Sequence, residues 1–223
     1  MPRVGVFGGS FNPIHFGHLL LADEICEVLG LDRLLFVPAA QPPHKSAKDL
    51  APARDRFQMT ALAVREHPRF EVCDVELRRA GPSYTVQTLE ALRDRGDLHL
   101  VMGSETFVDL LNWREPLQIA RLARLVIVPR NGTAFDPETP AVLKVLKELG
   151  LPDLVSVTTD GTRTFSSGAG AIPSSPLLVR AASLPISGSD LRRRAREGLS
   201  LAYRMPGPVA AYMEEHGLYR GDE

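Results

Sequence analysis

Val4-Gly-Val-Phe-Gly-Gly-Ser-Phe-Asn-Pro-Ile-His-Phe-Gly-His18 decides how the rest of this chain is read. Its apolar start, residues 4–7, has the length and composition of a buried strand. Gly8 and Gly9 follow, and without Cβ atoms they let the backbone turn tightly and come close to a ligand. Ser10, Asn12, His15 and His18 then place polar side chains over two short turns. From Gly17 onward Leu19, Ala22, Cys26 and Leu29 recur at three- and four-residue steps, which is helical spacing. Both imidazoles therefore fall just before or at the start of a helix. Unpaired N–H groups and the helix dipole favour an anion there. Strand, glycine turn, two histidines and helix N-terminus together describe a phosphate site. The bland alternative is a glycine turn with two solvated histidines, and a lone His-x-Gly-His would not exclude it.

Working outward, strand-like and helix-like runs alternate. Residues 34–37, 70–75, 98–102, 125–128 and 177–179 read as further strands. Residues 53–66, 84–95 and 137–149 read as helices. Phe57, Ala61 and Val64 mark the apolar face of the first of these, and Val86, Leu89 and Leu92 that of the second. The tail, residues 186–219, reads as two helices split at residues 204–208. Such alternation predicts an α/β fold of Rossmann-like type, a doubly wound parallel sheet with C-terminal helices. Ligands of such sheets bind beyond the carboxyl ends of the strands, where the loops of interest here lie. One domain over residues 1–223 is expected. Residues 160–176, rich in Gly, Ser, Thr, Ala and Pro, read as a flexible loop within it.

Composition removes several function classes. With 223 residues and a formal net charge of −1, the chain can bury a sizeable core but offers no strong field to nucleic acid or a membrane surface. Arginines cluster only at 192–194 and 196, too narrow a basic surface for an RNA-binding module. Cys26 and Cys73 have no metal-ligand spacing and read as buried core thiols. The first strand begins at once, leaving no room for a signal peptide, and no apolar run approaches spanning length. A cytoplasmic protein follows, and a homo-oligomer is compatible with the chain. Neither a Walker-type phosphate loop nor a Gly-x-Gly-x-x-Gly fingerprint is present.

Gly-Gly-Ser-Phe-Asn-Pro-Ile-His-Phe-Gly-His resembles the nucleotidyltransferase signature that contains His-x-Gly-His. In its fuller form it is similar to that of the bacterial nicotinate-nucleotide adenylyltransferases, and the likeness runs along nearly the whole chain. It implies that Gly8, Gly9, Ser10, Phe11 and His18 meet ATP, and that His15 and His18 are catalytic, His15 supporting His18. Pro42-Pro-His-Lys45 resembles a loop of that family, which implies that His44 and Lys45 contact substrate phosphates. Gly81-Pro-Ser-Tyr-Thr85 resembles the segment holding the nicotinate ring, with Ser83, Tyr84 and Thr85 as contacts. Ser83 or Thr85 could equally be a plain helix cap.

Met102-Gly-Ser-Glu-Thr-Phe107 follows a strand, and the resemblance assigns Gly103 and Glu105 to ATP. Glu105 stands where the family has Asp, one methylene shorter. Helix capping by Ser104 is the plain alternative. Asn112-Trp113-Arg114 holds the only tryptophan, and the resemblance makes Trp113 the face on which the nicotinate ring stacks. Arg114 reads as a nearby charge partner or as merely exposed. Asn12 joins the expected mononucleotide contacts. Ile186-Ser-Gly-Ser-Asp-Leu-Arg192 is similar to the family's second motif, with Gly188 at a position that more commonly carries a hydroxyl. Ser187, Ser189 and the catalytic Arg192 would cradle polyphosphate at a helix start.

The expectation is therefore adenylyl transfer from ATP to nicotinate mononucleotide, releasing pyrophosphate. Mg²⁺ would arrive with ATP, since no protein set of metal ligands is apparent. The rival readings are a pantetheine-phosphate adenylyltransferase or cytidylyltransferase, against which Tyr84, Thr85 and Trp113 speak, and a nucleotide-binding regulator without turnover, against which His15, His18 and Arg192 speak.

Overall fold

The structure is a computed structural model that describes residues 1–42, 50–129, 135–158, 163–165, 175–182 and 184–220. Eight strands among them build one sheet: β1 (Arg3–Gly9), β2 (Arg33–Pro38), β3 (Phe70–Val72), β4 (Asp97–Gly103), β5 (Arg124–Val128), β6 (Val155–Thr158), β7 (Arg163–Phe165) and β8 (Leu177–Arg180). Their spatial order is β3-β2-β1-β4-β5-β8-β6-β7. All pairings are parallel except that of β7 with β6 at one edge. The chain runs outward from β1 through β2 to β3, then returns to place β4 on the other side of β1. The order reverses between β1 and β4, and in doubly wound sheets a crevice opens at that point.

Helices cover both faces: α1 (Phe16–Leu29), α2 (Ala53–Val64), α3 (Thr85–Leu92), α4 (Ser104–Val108), α5 (Pro116–Leu122), α6 (Pro140–Glu148), α7 (Gly188–Arg196) and α8 (Gly207–Glu215). Strand side chains alternate between two cores, as the period of two requires. In β2, Leu34 and Phe36 join the core built with α1, α2, α7 and α8. Leu35 and Val37 join the core built with α3, α4, α5 and α6. Burial on both faces explains why the strands read as unbroken apolar runs. Val86, Leu89 and Leu92 of α3 are buried as expected.

Several expectations need correction. The buried face of α2 is Arg56, Met59, Thr60 and Val64; of the expected face Val64 is buried, while Phe57 and Ala61 are only half-buried. Three backbone carbonyls accept from the Arg56 side chain and hold it on that face. The third strand stops at Val72, and α6 starts at Pro140, after a cap in which Thr139 Oγ1 accepts from the Val142 N–H. α4, α5 and β6 are additional elements, short or without a strong period in the sequence. Residues 163–165 of the expected flexible loop form β7, and Ser175 is buried, its carbonyl accepting from Arg124 Nε at 2.8 Å. The remainder of that loop, residues 160–162 and 166–174, lies outside the described residues. Cys26 is a buried free thiol, pushed up to about 12 by burial, whereas Cys73 is only half-buried.

Candidate active site

A cavity of about 600 Å³ opens at the switch point. Gly8, Gly9 and Ser10 from the end of β1 and Met102 and Gly103 from the end of β4 form one wall. Ser83, Tyr84, Thr85 and Thr88 of α3 and its approach, with Thr106, Asn112, Trp113 and Arg114, form the other. The structure thus brings together eight of the residues selected from sequence: Gly8, Gly9, Ser10, Ser83, Tyr84, Thr85, Gly103 and Trp113. The guanidinium of Arg114 lies 4.8 Å from the centre of the Tyr84 ring, a cation–π arrangement.

Neither Ser83 nor Thr85 caps α3. Its N-cap is Tyr84, with no side-chain cap bond. Ser83 instead exchanges two hydrogen bonds with Gln41: its Oγ accepts from the Gln41 N–H at 3.1 Å, and its own N–H donates to the Gln41 carbonyl at 3.0 Å. This clamps the loop after β2 onto the start of α3. Glu76 and Thr88 form the polar floor, with Thr88 Oγ1 donating to Glu76 Oε1 at 2.7 Å.

The histidines stand beside this cavity at the start of α1. His15 is the N-cap residue and His18 the third residue of the helix. Their rings stack with centroids 3.7 Å apart. The His15 backbone N–H donates to His18 Nδ1 at 3.3 Å. An accepting Nδ1 places the proton of a neutral His18 on Nε2, which fixes which edge can donate. Phe11 meets the His18 ring edge-on at 5.2 Å, and Phe7, which also lines the cavity, meets it at 6.1 Å. Burial lowers the pKa of His15 to about 4, so its ring is neutral near pH 7. The glycine of His-x-Gly-His has a steric cause here. A Cβ on Gly17 would lie 3.0 Å from His15 Nδ1 and displace the stacked ring.

The two stretches expected to face phosphate meet. Arg192 Nη1 donates to the Asn12 carbonyl at 2.8 Å, tying the first turns of α7 to the loop after β1. Gly188 permits this approach, since a Cβ there would stand 2.9 Å from the same carbonyl oxygen. Contact with the loop explains why no larger residue occupies the position. Ser187 caps α7, its Oγ accepting from the Asp190 N–H at 3.2 Å, with Ser189 Oγ 3.2 Å away.

Other selected residues lie elsewhere. Asn12 is buried and is not among the cavity-lining residues. Its Oδ1 accepts from the Ala51 N–H at 3.0 Å and from the Tyr219 hydroxyl. Phe11 is buried beneath His18. Glu105 is exposed in the first turn of α4, and Ser104 is buried but does not cap that helix. His44 and Lys45 lie outside the described residues. Among the described residues no three His, Cys, Asp or Glu side chains gather into a set able to hold a metal ion.

Sequence reasoning missed Arg56. This side chain is 1 % exposed. Its Nε donates to the Ala51 carbonyl at 2.9 Å, Nη1 to Ser10 at 2.8 Å and Nη2 to Ala40 at 3.2 Å. One guanidinium thereby joins the loops after β1 and β2 to the start of α2. Tyr219 carries no local signal either, and its hydroxyl donates to Asn12 Oδ1. Burial raises the Tyr219 pKa, which keeps it a donor. An arginine three residues into a helix carries no local signal of burial.

A Rossmann-like sheet with a glycine turn and two stacked histidines at its switch point defines a nucleotidyltransferase. The sequence agrees: residues 6–194 match the cytidylyltransferase-like family model, and the chain belongs to that family and, within it, to the nicotinate-nucleotide adenylyltransferases. It is 40% identical over 219 residues to a relative from Roseiflexus sp. named "Probable nicotinate-nucleotide adenylyltransferase", covering 97% of this chain and 98% of that one. A relative of the same name from Thermus thermophilus is 42% identical, with 98% and 100% covered. The fold is also that of the Plasmodium falciparum nicotinic acid mononucleotide adenylyltransferase complexed with NaAD, at TM-score 0.69, 18% identity and 98% coverage of both chains.

Proposed function

We propose that this chain transfers the adenylyl group of ATP to nicotinate mononucleotide, forming nicotinate adenine dinucleotide and pyrophosphate. The observation that carries the reading is the junction at the switch point. A phosphate-facing glycine turn and histidine pair adjoin a hollow walled by Trp113 and Tyr84. A phosphate oxygen of the mononucleotide attacks the α-phosphorus of ATP. The bond from that phosphorus to the bridging oxygen breaks, and pyrophosphate leaves with the electron pair. The nucleophile is already anionic, so no general base is required. Catalysis is positioning plus stabilisation of charge on the transferring phosphate.

His18 donates from Nε2 to the α-phosphate, and neutral His15 holds it in register through the stacked ring and its backbone N–H. Gly8, Gly9, Ser10 and Phe11 let the triphosphate approach the backbone, and Gly103 and Glu105 serve the adenosine. Ser187, Ser189 and Arg192 hold the β- and γ-phosphates. On the acceptor side Trp113 stacks on the pyridine ring, with Ser83, Tyr84 and Thr85 beside it. Asn12 fixes the floor, and His44 and Lys45 serve the phosphate. Mg²⁺ would enter with ATP and would offset charge on the nucleotide, and no set of described residues is assigned to hold it. Among the described residues no helix is long and apolar enough to cross a membrane, and we place the protein in the cytoplasm.

The test is pyrophosphate release with ATP and Mg²⁺, offering nicotinate mononucleotide, nicotinamide mononucleotide and phosphopantetheine in parallel. Preference for the first is expected. Preference for phosphopantetheine would overturn the acceptor reading while leaving the phosphate site. Release with none would favour a regulator without turnover.

A further inference from the structure

Beyond the end of α8 the chain turns back on itself. Gly217 makes the turn at φ 59, and Tyr219 takes φ 62, also in the left-handed region. That region is costly for a residue with a bulky side chain. The turn carries the phenol to the loop after β1, where its hydroxyl donates to Asn12 Oδ1. Burial raises the Tyr219 pKa, so the hydroxyl keeps its proton. α8 itself is docked by other means. Val209 and Met213 are buried, and the Tyr212 hydroxyl donates to Asp55 Oδ1 at 2.8 Å at the start of α2. The Tyr219 hydroxyl is therefore not needed to hold the helix, and its bond to Asn12 calls for another account.

We propose that Tyr219 is a positioning residue for ATP: through Asn12 it keeps Arg192 aimed at the β- and γ-phosphates. The proposal rests on the assignment of Arg192 to the triphosphate made above. Asn12 is the junction. Its Oδ1 accepts from Tyr219 and from the Ala51 N–H at 3.0 Å, and its backbone carbonyl accepts from Arg192 Nη1 at 2.8 Å. The fit around that carbonyl has no slack. A Cβ on Gly188 would lie 2.9 Å from the carbonyl oxygen and 3.4 Å from Arg192 Nη1. A guanidinium carries its five donors in one rigid plane, so fixing Nη1 fixes where the remaining N–H groups point. Without the phenol, the Asn12 side chain loses one of the two donors that orient its Oδ1. A small turn of this residue moves the carbonyl, and Arg192 turns with it.

The experiment is a double-mutant cycle read by steady-state kinetics, with ATP and nicotinate mononucleotide varied in turn, on the wild type, Tyr219→Phe, Arg192→Met and the double variant. Phenylalanine keeps the ring and removes only the hydroxyl. Tyr219→Phe should raise KM for ATP about fivefold, a size suited to one neutral hydrogen bond. Both kcat and KM for the mononucleotide should stay within about twofold, and the thermal midpoint within about 4 °C. Arg192→Met should raise KM for ATP about tenfold or more. Adding Tyr219→Phe to Arg192→Met should then change KM for ATP by less than about twofold, because the route from the phenol to the phosphates is already cut. An unmoved KM for ATP in an active Tyr219→Phe enzyme overturns this proposal alone. So does an equal rise in both KM values with a lowered midpoint, which would make Tyr219 a packing residue. A full fivefold rise in the Arg192→Met background would also overturn it, since Tyr219 would then act by a path that avoids Arg192. If Arg192→Met leaves KM for ATP unchanged, the assignment of Arg192 to the triphosphate fails, and this proposal with it.

Discussion

The two faces of the sheet present different kinds of surface near the carboxyl ends of its strands. On the side of α1, α2, α7 and α8, polar groups are fixed before any ligand arrives. His18 accepts from the His15 N–H, and Asn12 from Arg192, Ala51 and Tyr219, while Arg56 donates to three carbonyls. On the side of α3, α4 and α5 the cleft is a hollow of aromatic and small side chains. Charge requires donors already in place, because reorganising desolvated dipoles during reaction costs energy. An aromatic ring requires only a flat apolar wall of the right width. The first side should therefore fail sharply when a single group is removed, and the second gradually.

The sharpest failure should come at His18. Removing one prearranged donor to the reacting phosphate typically costs about 10²–10³ in turnover. His18→Ala should lose at least that, with the thermal unfolding midpoint nearly unchanged because the ring is only half-buried. Near-normal pyrophosphate release in this variant would place the chemistry elsewhere. Next comes Arg56→Met. Three backbone carbonyls lose their donor at once, and each buried unsatisfied acceptor costs roughly 1–3 kcal/mol. Destabilisation of about 3 kcal/mol or more is expected, read from the denaturant midpoint. A loss below about 1 kcal/mol would show that the loops after β1 and β2 hold together without it.

This contrast also explains what the sequence disclosed. The sheet was legible because its strands, buried on both faces, stand as unbroken apolar runs between helices of period 3.6. The cavity wall was legible wherever chemistry is local. Gly8, Gly9, Tyr84 and Trp113 each stand in a distinctive short context, and the cavity unites them. Arg56, Tyr219 and Asn12 were not, because their partners lie 5 to 207 residues away. A hydrogen bond to a distant backbone carbonyl leaves no trace in residue type. Arg56 therefore bears no mark of burial in the sequence, whereas Phe57, which reads as part of the apolar face, is only half-buried. Glu105 shows the opposite case, since a recognised motif selects it and the structure leaves it outside the cavity lining.

His15 offers a way to sharpen the comparison through pH. Its pKa is lowered from 6.5 to about 4 by burial, so the folded chain binds a proton less readily than the unfolded one. Between those values the unfolded state holds more protons, and stability falls as pH falls. The loss, complete once pH is below both values, is at most about 3 kcal/mol. Denaturant midpoints taken from pH 7 to pH 4 should therefore drop more steeply for the wild type than for His15→Gln. Parallel curves would mean that His15 accepts a proton in place and that its burial is not what keeps it neutral.

The smallest of these effects belongs to the hollow. Trp113→Ala removes one wall and no fixed donor. Stacking of a pyridinium on an indole contributes roughly 1–2 kcal/mol, which corresponds to a rise of about five- to thirty-fold in KM for the mononucleotide. KM for ATP should hold, since the groups proposed to meet ATP are anchored by the opposite core. Trp113 is only half-buried, so folding should survive. Steady-state kinetics with each substrate varied in turn distinguishes the outcomes. A rise confined to ATP would mean that the indole faces the adenosine and that the two substrates occupy the cleft the other way round. A collapse of kcat as large as that of His18→Ala would be more damaging to the contrast itself. It would show that the aromatic side also sets the alignment of the reacting phosphates, and that neither face is merely a wall.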